Sequence, residues 1–175
     1  LRVAPEDFER LILPHLDAAY NLARWLLRER ADYEDVVQEA MVRAQRYFPG
    51  FRGGNERAWL LQIVRNTAYA TLKARQEHRF VPLDDGEGDG ETVELADPGD
   101  DPETALMRGQ AQRRMGELLA ALPLELRETI VLRELEELSY ADIARITGTP
   151  IGTVMSRLWR ARRALQRAVG SGRAS

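Results

Sequence analysis

The chain has 175 residues, a formal net charge of -3 and no cysteine, which excludes disulfides, thiolate metal sites and cysteine nucleophiles. A hydrophobic content of 44% supports the core of one medium domain or two small ones. No apolar run approaches the about 20 residues of a membrane span. No signal-type apolar stretch follows Leu1-Arg2-Val3-Ala4-Pro5, so a cytoplasmic protein is expected.

Phe8, Leu11, Ile12, His15, Leu16, Ala19, Tyr20, Ala23 and Leu26 follow the 3.6-residue period and predict one amphipathic helix. Asp32 is a candidate cap for a second helix, with Asp35 as its capping-box partner. Val36, Val37, Ala40, Met41, Ala44 and Phe48 form the apolar face of that helix, and Pro49-Gly50 ends it. A Gly-rich loop over 49–57 leads to a third helix, from about Arg57 to Gln76. It buries Leu60, Ile63, Val64, Thr67, Ala68 and Leu72. Gln62, Arg65, Asn66, Tyr69 and Lys73 lie along its other side, and Arg75 and Arg79 extend the positive charge.

Residues 81–107 hold ten acids (Asp84, Asp85, Glu87, Asp89, Glu91, Glu94, Asp97, Asp100, Asp101, Glu103) and no Lys or Arg. Outside them 18 acids face 25 bases, a net of +7, so the overall negative charge does not argue against a nucleic-acid partner. With Pro82, Gly86, Gly88, Gly90, Pro98, Gly99 and Pro102 interleaved, the segment cannot bury enough surface to offset its ordering entropy, and a flexible linker is predicted.

Beyond it, Ala105–Ala121 reads as a helix broken by Pro123, and Leu124–Glu136 as another. Ser139, reciprocated by Asp142, caps a short helix that buries Ile143, Ala144 and Ile146. Gly148 suits the left-handed position past its end, Thr149 is the candidate cap of the next helix, and Pro150 fits the first turn. Helix, glycine turn and helix make a helix-turn-helix, whose reading helix runs from about Pro150 to Arg163. Val154, Leu158, Ala161 and Leu165 face the core, with Trp159 expected at the core edge. Thr153, Ser156, Arg157, Arg160 and Arg163 lie opposite, with Thr149 at the start of the helix, and their hydroxyl and guanidinium groups suit phosphates and base edges in a major groove. The competing reading is a solvated basic face on an ordinary helical bundle. Against it stand both caps, the turn glycine, and seven arginines without an acid from Ile143 onward.

No segment alternates as a strand. The expected fold is all-α: two small helical domains, 8–80 and 109–170, joined by a flexible acidic linker at 81–108, with the helix-turn-helix in the C-terminal one.

The string Ser139-Tyr140-Ala141-Asp142-Ile143-Ala144, then Gly148, then Gly152-Thr153-Val154-Met155-Ser156-Arg157-Leu158-Trp159-Arg160-Ala161-Arg162, closely resembles the C-terminal domain of bacterial extracytoplasmic-function (ECF) sigma factors. Leu122-Pro123 and the stretch Arg127 to Glu136 look like the same domain. Asp32-Tyr33-Glu34-Asp35-Val36-Val37-Gln38-Glu39-Ala40 resembles the segment with which sigma factors grip the clamp of RNA polymerase. Arg57-Ala58-Trp59-Leu60-Leu61-Gln62-Ile63-Val64-Arg65-Asn66 resembles the helix that handles the melted downstream promoter element. The resemblance covers about residues 8–79 and 109–168.

It implies an initiation subunit of the sigma-70 family that binds core RNA polymerase through the β′ clamp and the β subunit. Region 4, at 109–170, would read the upstream (-35) element as duplex. Region 2, at 8–80, would hold the downstream (-10) element as a melted strand. By this resemblance Asp32, Glu34, Asp35, Gln38 and Glu39 meet the polymerase. Gln62, Arg65, Asn66, Tyr69, Lys73 and Arg75 meet the melted strand, where basic groups take phosphates and aromatic or amide groups take bases. Asn55, in the loop Phe51-Arg52-Gly53-Gly54-Asn55-Glu56, is the candidate reader of an unstacked base. In one departure, Ala70 stands where the family often has an acid. An anti-sigma factor is the implied regulator. His15 and His78 are the only histidines, and no phosphate loop or metal-ligand spacing occurs, so no enzyme, metal or cofactor is expected. The alternative function is a stand-alone helix-turn-helix regulator.

Overall fold

The computed structural model describes residues 4–78 and 101–172, all helix, turn and loop, with no strand among them. Arg79 and residues 81–100 of the expected linker lie outside the described residues.

The run read as one helix from Phe8 is two. Helix α1, Asp7–Ile12, gives way to a 3-10 turn at Leu13–His15, and α2 covers Leu16–Leu26. Pro14 explains the division, because it has no N–H for the helical ladder and its ring crowds the preceding turn. α2 buries Ala19, Leu22, Ala23 and Leu26, one stripe at helical spacing.

Helix α3, Arg30–Tyr47, begins two residues earlier than its expected cap. Glu29 has extended backbone at the N-cap, and the Asp32 amide donates to the Glu29 carbonyl, so Asp32 belongs to the first turn and caps nothing. Its side chain instead pairs with Arg75. Val36, Val37, Ala40 and Ala44 are buried, and a 3-10 turn at Phe48–Gly50 ends the element as Pro49 requires.

Helix α4, Glu56–His78, completes the N-terminal bundle with Ala58, Leu60, Leu61, Val64, Thr67 and Ala68 buried. Ile63 and Leu72, expected in the core, are only partly covered. An aromatic cluster fixes the loop before α4. The Phe48 ring meets Phe8 edge-on at 5.3 Å and stacks on Phe51 at 5.9 Å, and Phe51 lies 5.0 Å from Trp59. Rings at these separations bind the loop to the core.

Helix α5, Pro102–Ala120, starts inside the stretch assigned to the linker. Asp101 is the reason. Its carboxylate accepts from the Thr104 amide at 2.8 Å, and Pro102 supplies a first-turn φ without needing a hydrogen bond. Helix α6, Leu124–Ile130, runs into a π-helical segment at Val131–Leu135 instead of continuing to Glu136 as α-helix. Helix α7, Tyr140–Thr147, and helix α8, Ile151–Ser171, follow.

α2, α3 and α4 form one bundle, and α6, α7 and α8 the other. The two bundles touch. α4 packs against α7, and α2 against α6 and the π segment.

Candidate nucleic-acid interface

The Ser139 hydroxyl accepts from the Asp142 amide at 3.1 Å and starts α7 as expected. Gly148, at φ 65, ends it in the left-handed conformation that costs glycine nothing. Thr149 is not a cap. Pro150 holds the N-cap position of α8 with no side-chain bond, and the Thr149 hydroxyl meets the Thr147 hydroxyl at 2.9 Å.

α8 has two different sides. Val154, Leu158 and Ala161 are buried, with Leu165 partly covered. Ser156, Arg160 and Arg163 are exposed, and Thr153 and Arg157 are half-buried beside them. The first turn contains no acid, so the positive end of the helix dipole is uncompensated and suited to a phosphate. Arg162 is different, because it pairs with Glu134 at 2.7 Å. That hydrogen bond, ahead of the opposing effect of burial, raises its pKa.

Trp159 is not at the core edge: it is 59% exposed, with the Arg163 guanidinium 4.7 Å from its ring centroid. It continues an exposed apolar line through Ile151 and Met155, which the expected reading face did not include. The signal was present in the sequence as a four-residue repeat one step from the basic positions.

On α4, Asn66 and Lys73 are exposed and Gln62 is half-buried. Arg65 and Tyr69 form a stack, with the guanidinium carbon 3.7 Å from the ring centroid. Both hold one carboxylate of the other bundle: Arg65 Nε donates to Glu128 at 2.6 Å and the Tyr69 hydroxyl at 2.7 Å. Burial, then the Glu128 charge and hydrogen bond, push the Tyr69 phenol above its ordinary range. Burial alone would lower the Arg65 pKa, but the Glu128 hydrogen bond and charge outweigh it and the net direction is up. Arg75 is not on this stripe, since it reaches across to Asp32 on α3.

Asn55 begins α4. Its side-chain oxygen accepts from the Ala58 amide at 3.0 Å, the N-cap bond, and its amide nitrogen donates to Asp142 at 3.0 Å. Gly53 and Gly54, at φ 83 and 108, give the loop the left-handed turn it needs there.

Along α3, Asp35, Gln38 and Glu39 are exposed, with Glu39 paired to Arg43 and Glu34 to Arg30. Exposed Val42 and Tyr47 continue this surface toward the C-terminal end of the helix. Asp32, expected with this set, turns away to Arg75.

Residues 11–78 match the family model described as sigma-70 region 2, and residues 112–165 the one described as sigma-70, region 4. The chain is 34% identical over 169 residues to the RNA polymerase sigma-H factor of Pseudomonas aeruginosa, covering 93% of this chain and 86% of the relative. The chain belongs to the sigma-70 family.

Within that family it is an ECF sigma factor. The ECF sigma-E factor of Haemophilus influenzae is 38% identical over 141 residues, covering 78% of this chain and 74% of the relative. The sigma factor RpoE of Bartonella quintana, solved in complex with the anti-sigma factor NepR, matches with a TM-score of 0.75 and 29% identity, covering 94% of this chain and 98% of that one. The structure of CnrH in complex with the cytosolic domain of CnrY shares the fold, at 24% identity and a TM-score of 0.64 over 96% of this chain and 90% of that one. This sigma factor is therefore a DNA-binding transcription initiation factor that directs promoter-specific transcription. No helix among the described residues is long and apolar enough to cross a membrane.

Proposed function

We propose a division of labour within this sigma factor. α8 reads the upstream (-35) promoter element as duplex, with Thr153, Ser156, Arg157, Arg160 and Arg163 on the groove side and Thr149 beside the phosphates. α4 and the loop before it hold the melted downstream (-10) element through Gln62, Arg65, Asn66, Tyr69 and Lys73, with Asn55 at a base edge. Glu34, Asp35, Gln38 and Glu39 of α3 seat the chain on the β′ clamp of core RNA polymerase, and region 4 meets the β subunit. Asp32 and Arg75 hold α3 against α4 and act by positioning those two surfaces.

The observation that carries this reading is the two-sided α8. Three residues at core spacing are buried while hydroxyl and guanidinium groups occupy the other side, with no acid in the first turn. Tethered contacts need not be tight singly, because the second becomes intramolecular once the first is made. The protein works without catalysis of its own, in the cytoplasm, where the polymerase is. An anti-sigma factor is its proposed regulator, supported by the likeness to a Bartonella sigma factor solved with one.

Transcription from a promoter library with purified core polymerase tests the reading. The wild type should select a discrete promoter class. Arg157→Ala with Arg160→Ala should lose upstream-element recognition while still binding core. Equal loss of both activities would overturn the assignment of α8.

A further inference from the structure

Glu128 of α6 has a side chain with no solvent exposure, and Glu136 has 5%. A carboxylate is rarely buried unless it is paired. Both have partners, and those partners belong to the other bundle. Glu128 takes hydrogen bonds from Arg65 and Tyr69, and Glu136 takes them from Asn21 at 2.7 Å and from Arg57. A third acid, Asp142, takes the amide of Asn55. These acids of region 4 therefore occupy Asn55, Arg65 and Tyr69, the side chains assigned above to the melted strand, together with Arg57 at the start of the same helix.

The chemistry of the occupant matches that of the absent ligand. An anionic oxygen on a guanidinium, with a phenol beside it, is what a phosphate on a stacked nucleotide presents. The bonds that Arg57, Arg65 and Tyr69 give to Glu128 and Glu136 have counterparts to a phosphate, whereas the packing of α4 on α7 and of α2 on α6 is lost on opening, so the differential binding of polymerase and DNA sets the equilibrium.

We infer that region 4 is an internal competitor for the single-stranded DNA site of region 2. The described arrangement is the closed form of the free chain, in which Glu128, Glu136 and Asp142 stand in for the melted strand. The site opens when polymerase or DNA separates the bundles. The inference rests on the assignment of α4 to the melted strand, and the test below separates the two.

The experiment measures binding of a fluorescein-labelled, mixed-sequence single-stranded DNA to the free full chain. In parallel it measures energy transfer between dyes on one introduced cysteine in each bundle, since the natural chain has none. Glu128→Gln with Glu136→Gln keeps the side-chain volumes and removes the charges. This double variant should bind the DNA about tenfold more tightly than wild type and show reduced transfer. Arg65→Ala added to it should abolish the gain. Asp142→Asn, at a partly exposed position, should give a smaller gain of the same sign and serves where the double variant does not fold. Unchanged affinity in both sets overturns the inference, whether or not transfer falls. Arg65→Ala in the holoenzyme decides the underlying assignment separately. Lost open-complex formation there, with no gain in the free variants, removes the internal competitor and leaves the strand site standing. Normal open complexes there remove both.

Discussion

Arg28 and Arg127 cross the boundary between the bundles in opposite directions. Arg127, on α6, donates to the Trp25 carbonyl in the last turn of α2 at 3.0 Å, while Arg28, just past α2, donates to the Ala120 carbonyl that ends α5 at 2.9 Å. Arg127 thus places a cation at the negative end of α2, and Arg28 one at the negative end of α5, the helix that precedes the second bundle. The two are not equivalent. Arg28 is exposed, whereas Arg127 is buried with its Nε unbonded. Burial first, and then the nearby Arg28 charge, lower the Arg127 pKa.

Two effects therefore compete at Arg127. The helix-end bond favours it by about 1 kcal/mol, and the desolvated, partly unsatisfied guanidinium opposes it. The carbonyl of Trp25 would lose this donor if Arg127 became methionine. Arg127→Met is expected to destabilise the chain by about 1 kcal/mol, the cost of a buried acceptor left unpaired. Urea titration measures it, and a gain in stability would mean that desolvation dominates. Arg28→Ala, at the exposed end, should cost only a few tenths of a kcal/mol.

Gly148 isolates a backbone effect. Its φ is 65, and a Cβ added there would meet nothing within 4 Å. Gly148→Ala should therefore cost about 1 kcal/mol through backbone conformation alone, with no packing penalty. Gly148→Asn should recover much of the loss, because asparagine tolerates the left-handed region. Thermal melting of the three proteins checks the order, and equal melting of the alanine and asparagine variants would contradict it.

Arg160 and Arg162 are two residues apart on α8 and should behave differently. Arg160 is exposed on the groove side, and its Nε reaches only the Ser156 carbonyl of its own helix, at 3.4 Å. Arg162 is paired with Glu134. Arg160→Ala should weaken duplex binding by about 1–3 kcal/mol if it reads a base, or reduce the salt slope by about 1 if it holds a phosphate. Arg162→Ala should leave binding within about 0.5 kcal/mol of wild type. Holoenzyme binding to an upstream-element duplex across a salt series distinguishes these outcomes.

What could be read in advance was local. The Ser139 cap, the Gly148 turn and the spacing of Val154, Leu158 and Ala161 each need only neighbours within two helical turns, and all appear as expected. Several expectations failed where a side chain has a partner far away in sequence or where composition masks a local cap. Asp32 is a better capping residue than Glu29, but the fold uses its carboxylate for Arg75, 43 positions away. Asp101 caps α5 from inside a segment whose composition reads as linker. The Arg65–Glu128 pair spans 63 positions. No periodicity announces such a pairing, because it depends on how two bundles meet.

Tyr69 reports on that meeting through pH. The chain has five tyrosines. Burial and the Glu128 carboxylate favour its neutral phenol, while Arg65 acts in the opposite sense, and the net pKa is raised above the ordinary value of about 10. A group whose native pKa is raised contributes its full stabilisation below the unfolded value and loses it as the pH rises through the native one. The closed form should therefore be indifferent to Tyr69 below about pH 10 and weaken above it. Phenolate absorbance should show the Tyr69 step at higher pH than that of a free tyrosine. In Glu128→Gln that step should move to lower pH, since the charge opposing the phenolate is gone. A titration in which Tyr69 is unmoved by Glu128→Gln would mean that burial within α4 and its own bundle, rather than the acid of region 4, sets its proton affinity.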